Sequence, residues 1–125
     1  MKWILIVTAL FFSNHQEQTN SLIGQWDNKK GQLLSLHADG SAWWIFYSEI
    51  KRDSFAIRYV KDFTKKPYHF DLTDFKKGPL VGKTLFGIIE FTDEDSFKFD
   101  CEPVKDNRPK DFSSSQTQTY YRLRN

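Results

Sequence analysis

From Ser21 onward the apolar residues of this 125-residue chain recur with a period of two. That is the spacing of strands with one buried face, and it excludes a helical fold. Phe55, Ile57 and Tyr59 alternate with Ala56, Arg58 and Val60, and Phe70 and Leu72 alternate with His69 and Asp71. Phe97, Phe99 and Cys101 do the same against Ser96, Lys98 and Asp100. Further short runs at 22–26, 32–37, 42–47, 83–91 and 117–124 bring the expectation to about eight strands. Turn signals separate them: Asp39-Gly40, Asp53-Ser54, Gly78-Pro79 and the acidic turn from Asp93 to Asp95. Gly87, inside the most apolar run, predicts a bend or bulge. Many short strands joined this way form a sandwich or a barrel, and closure removes exposed edges. The expectation is an all-β, small antiparallel barrel of about eight short strands.

The amino terminus does not share this pattern. Lys2 is followed by ten uncharged residues, 3–12 (WILIVTALFF), and then by the polar stretch 13–21. Charged, apolar and polar regions in that order define a secretory signal. Ten residues cannot cross a bilayer core, which needs about 20. The sequence therefore predicts a signal peptide or N-terminal anchor over 1–20 and a barrel domain over 21–125. Export to the periplasm or medium follows, with a membrane tether if the segment is not cleaved. The single cysteine excludes a disulfide within the chain.

Twelve Phe, five Tyr and four Trp among 39% hydrophobic residues supply a core and exclude disorder. A net charge of +2 lacks the basic surplus that phosphate neutralisation needs, so nucleic acid is not an expected partner. Most of the basic pairs, such as Lys29-Lys30 and Lys65-Lys66, fall in predicted turns. Stacking of bases on Trp43, Trp44, Phe46 and Tyr47, as in oligonucleotide-binding barrels, is the weaker reading of that aromatic strand.

Catalytic and metal signals are sparse. His37, His69, Asp39 and Asp71 are the nearest approach to a metal set, and His69-x-Asp71 reads more simply as a solvated strand face. No Gly-x-Ser-x-Gly elbow marks a nucleophile among the serines. The carboxylates Asp93, Glu94 and Asp95 lie in a turn, and no phosphate-cradling glycine loop is present. The chain reads as a non-enzyme with no catalytic residues, no metal and no cofactor.

Leu22-Ile23-Gly24-Gln25-Trp26 resembles the Gly-x-Trp opening of lipocalin-like domains. Three later segments resemble a family of small bacterial lipocalin-like domains of uncharacterised function. They are Lys65-Lys66-Pro67 running into Asp71-Leu72-Thr73, Gly82-Lys83-Thr84 leading to Gly87-Ile88, and Arg108-Pro109 before Phe112-Ser113-Ser114. Their order and spacing hold from Tyr59 to Arg124, whereas the loop after Trp26 is shorter than is common in that family. The resemblance implies a β-barrel and export, and it brings no activity with it. It also implies that Gly24 and Trp26 close the barrel floor under an arginine of the last strand, Arg122 or Arg124.

Two function classes remain open. In one, a small apolar ligand occupies the barrel mouth, with Trp43, Trp44, Phe46 and Tyr47 as the binding residues. In the other, the barrel is filled and acts through its surface on a protein partner or the cell envelope. The observation behind both is the strand 42–47, which carries aromatic side chains on each of its faces. The expected interior is Trp26, Phe70, Leu72, Leu85, Ile89, Phe91, Phe97, Phe99 and Tyr121, with Cys101 on the same core face.

Overall fold

The computed structural model describes residues 22–124, so the predicted signal or anchor segment 1–20 lies outside the described residues. Eight antiparallel strands follow one another around a closed barrel. They are β1 (Gly24–Asp27), β2 (Gln32–Leu36), β3 (Ser41–Tyr47), β4 (Arg52–Asp62), β5 (Tyr68–Thr73), β6 (Phe86–Asp93), β7 (Ser96–Glu102) and β8 (Gln118–Arg122). Each pairs with the next, and β8 returns to β1 through Trp26↔Arg122 and Asp27↔Tyr121. Among the described residues the one helical element is the 3-10 turn Lys105–Asn107, and no helix is long and apolar enough to cross a membrane.

Local chemistry sets the tight turns. At the β2–β3 hairpin, Gly40 adopts φ +89°, and the Asp39 carboxylate accepts the Ser41 amide at 2.9 Å. At the β6–β7 turn, the Asp93 carboxylate accepts the Asp95 amide at 2.8 Å. Alternation then sends Trp26, Leu34, Leu36, Trp44, Ile57, Phe70, Leu72, Ile89, Phe97 and Tyr120 into one buried cluster. Phe97 and Tyr120 are paired across β7–β8, and their rings stack 5.5 Å apart. This register corrects the expected interior: Tyr120 is fully buried, whereas Tyr121 is 39% exposed. Two adjacent tyrosines have the same hydropathy, so only the pairing with β7 decides between them.

Gly87 does not form a bulge. Pairing of β6 with β7 runs evenly from Phe86↔Glu102 to Phe91↔Phe97, and the irregularity falls between Phe91 and Asp93. Gly87 is instead a site of close approach. A Cβ there would lie 2.5 Å from the Phe70 carbonyl oxygen and 2.8 Å from the Phe99 ring.

Pairing is sparse between β5 and β6, with Tyr68↔Ile89, His69↔Ile88 and an isolated Leu72↔Leu85 bridge. Arg108 spans this seam from the β7–β8 connection. Its Nη1 donates to Asp71 Oδ1 at 2.6 Å and to the Gly87 carbonyl at 2.8 Å, and its Nη2 donates to Asp71 Oδ2 at 3.3 Å. The Gly87 amide donates to the same Asp71 Oδ1 at 3.2 Å. Asp71 is therefore a bound, largely buried carboxylate, not part of a solvated face. Beside it, burial lowers the His69 pKa, and the Arg108 charge lowers it further.

Candidate functional site at one end of the barrel

In an up-and-down barrel alternate loops share an end. The connections β1–β2, β3–β4, β5–β6 and β7–β8 therefore crown one end, and the chain enters at the other. The entry end is closed. Trp26 is fully buried there, its indole Nε1 donates to the Leu22 carbonyl at 3.0 Å, and Phe97 packs with ring centres 4.6 Å away. The Arg122 guanidinium covers the Trp26 ring at 4.2 Å and also donates to the Ile23 carbonyl at 3.0 Å and to Asp95 at 3.2 Å. Gly24 has φ +136°, and a Cβ on it would lie 3.0 Å from Arg122 Nη1. Arg124 is not over Trp26; it pairs with Asp95 from an exposed position.

The crowned end is built differently. Inward positions at the ends of β2, β3, β4, β7 and β8 carry Gln32, Phe46, Phe55, Cys101 and Gln118, all half-buried. The Phe46 and Phe55 rings meet edge to face at 5.7 Å, and Trp44 lies 4.9 Å from Phe46. The β5–β6 connection folds in from one side: Phe75 is buried 6.2 Å from Trp44, and Leu80 packs on the core.

Three carboxamides line this end, and donor-only groups fix their orientations. Asn28 Oδ1 accepts the backbone amides of Lys30 at 2.8 Å and Gln32 at 2.9 Å, so its Nδ2 points away and donates to Gln118 Oε1 at 2.9 Å. Gln32 Oε1 accepts the Trp44 indole N–H at 3.3 Å and the Tyr120 hydroxyl at 2.9 Å. An indole N–H can only donate, so the atom facing it must be the oxygen. Among the described residues Gln32 Nε2 and Gln118 Nε2 make no hydrogen bond, and neither is a buried unsatisfied atom, so both reach solvent. Burial pushes the Tyr120 pKa up, and burial followed by Asp100 and Glu102 pushes the Cys101 thiol up to about 12.

The four aromatic residues of β3 divide between two faces. Trp44 and Phe46 point into the barrel, whereas Trp43, at 42% exposure, and Tyr47 stand on the outer wall. The Tyr47 hydroxyl donates to Asp27 at 2.7 Å, which is the main cause of its raised pKa. Sequence reasoning passed over Asn28, Gln32 and Gln118. The signal for Gln32 was its shared parity with Leu34 and Leu36.

Other polar clusters lie outside the barrel. His37 bridges Ser41 at 2.9 Å and Ser35 at 3.2 Å, and Ser41 donates to Asp39 at 2.7 Å, which staples the β2–β3 hairpin. Among the described residues no three metal-ligating side chains converge. A surface cleft of about 400 Å³ runs between β7 and the β7–β8 connection, lined by Asp100, Glu102, Lys110 and Asp111. A smaller one of about 130 Å³ lies beside Tyr68 and Phe91. Both have mixed-charge walls and neither contains the carboxamides. Compared with protein families, curated proteins and solved structures, the chain has no match.

Proposed function

We propose that this chain is an exported, non-catalytic lipocalin-like barrel that binds a small apolar ligand at its crowned end. The observation that carries the reading is the inward aromatic surface left half-buried there, Phe46 and Phe55 beside Trp44, rimmed by Gln32 and Gln118. Export is supported by the charged, apolar and polar order of residues 1–21, and lipocalin-like character by Gly24-x-Trp26 under Arg122. The lower barrel is filled by its own side chains, so the ligand sits shallowly. Covering about 300 Å² of apolar ligand surface at about 25 cal/mol per Å² yields about 7 kcal/mol before association entropy, so affinity is micromolar or weaker.

Titration with fatty acids and environment-sensitive dyes, followed by tryptophan fluorescence, tests this reading. A saturable change that persists in Trp43→Phe and shrinks in Trp44→Phe supports it. No saturable change with any ligand would transfer the function to the outer wall, where exposed Trp43 flanks Ile45 and Leu33 on adjoining strands.

A further inference from the structure

Two glutamine NH2 groups at the crowned end are left without acceptors, and these select a ligand class with an acceptor to offer them. Both lone pairs of the Gln32 oxygen are taken by Trp44 and Tyr120, and the Gln118 oxygen accepts one bond, from Asn28. What remains is the NH2 group of each glutamine, both free of hydrogen bonds among the described residues and neither fully buried. Neither amide can turn over without setting NH2 against a donor: the indole N–H for Gln32, and the Asn28 NH2 for Gln118. Asn28 is itself held by the two backbone N–H groups it accepts.

We infer that the ligand carries a hydrogen-bond-accepting head group, a carbonyl or carboxylate, on an apolar body, with the head received by Gln32 Nε2 and Gln118 Nε2. The inference rests on the crowned end being the ligand site. The apolar body lies against Phe46 and Phe55. A donor-only head such as an ammonium could form no hydrogen bond with either NH2 group.

Three probes with eight-carbon chains separate the possibilities in calorimetric titrations of the full barrel domain: octanoate, 2-octanone and octylammonium. The uncharged ketone controls for attraction of octanoate to the net positive protein. Octanoate and 2-octanone should both bind about tenfold or more tightly than octylammonium. Gln32→Glu keeps the acceptor for Trp44 and Tyr120 while replacing NH2 by a carboxylate oxygen, so it should reverse the order. Gln118→Glu should do the same independently if Gln32→Glu fails to fold by circular dichroism. Equal binding of all three probes, or an order unchanged in both variants, would overturn the inference and leave the crowned end as an apolar site. Binding of none would overturn the site itself, and the inference with it.

Discussion

Arg122 lies across the indole of Trp26, its guanidinium carbon 4.2 Å from the ring centre, and the two residues are direct cross-strand partners in the β1–β8 pair that closes the barrel. The contact joins the first strand to the last, and the Arg122 side chain is only 15% exposed. A desolvated cation–π pair of this kind contributes up to about 2 kcal/mol. A double-mutant cycle of Trp26→Leu with Arg122→Met should give a coupling of about 1–2 kcal/mol. The same cycle with Arg124→Met should give a value near zero, because Arg124 faces Asp95. Equal coupling for both arginines in urea melts would remove the role of Arg122.

The Asp71–Arg108 pair replaces missing strand hydrogen bonds at the β5–β6 seam. Removing one partner leaves the other charge largely buried, so Asp71→Asn should lower stability by about 3 kcal/mol. Amide hydrogen exchange should also rise at Gly87, whose N–H donates to Asp71. An unchanged urea midpoint, with Gly87 still protected, would show that the seam holds without the pair.

Gly87→Ala places a methyl against the Phe70 carbonyl, where neither backbone can yield cheaply. The expected loss is about 3 kcal/mol. Gly82→Ala is the control: its Cβ meets nothing within 4 Å, and only its φ of +79° is strained, for a loss of about 1 kcal/mol. Equal losses in chemical denaturation would argue against close packing at the seam.

The Cys101 thiol titrates near pH 12 in the folded barrel, raised chiefly by burial, but near 8.5 in an unfolded chain. A raised folded pKa means that the unfolded state releases its proton first. The stabilisation is fully present below about pH 8.5 and is lost as pH rises toward 12, with a slope of at most about 1.4 kcal/mol per pH unit. Cys101→Val should lack this component, so the wild-type and variant stability curves should converge or cross between pH 9 and 11. Parallel curves would contradict a largely desolvated thiol, as would rapid labelling of native protein by a thiol reagent.

Asp53-Ser54, expected as a turn, instead pairs with β3 inside β4. The period-two alternation and most of the turn residues nevertheless sufficed for an eight-stranded antiparallel barrel, because each strand reports its own buried face locally. Strand 42–47 was ambiguous for the same reason. With aromatics at both parities, nothing local says that Trp44 and Phe46 go in while Trp43 and Tyr47 stay out. That is decided by pairing with Leu34 and Phe55. Asp71 and Arg108 are 37 positions apart, and no periodicity connects them; they stood out only as members of separate motifs. Asn28 and Gln118 are 90 apart, and their bond exists only once β8 has closed on β1. Long-range polar contacts depend on closure, and closure is not encoded in any one strand.

The most direct test of the crowned end as a ligand site is a two-dimensional 15N NMR titration of the barrel domain with octanoate. Saturable shifts should concentrate at the side-chain NH2 signals of Gln32 and Gln118 and at the Trp44 indole N–H, while the Trp43 indole stays fixed. Shifts confined to Trp43 and the outer wall, or no saturable shift at any of these groups, would contradict a ligand at this end of the barrel.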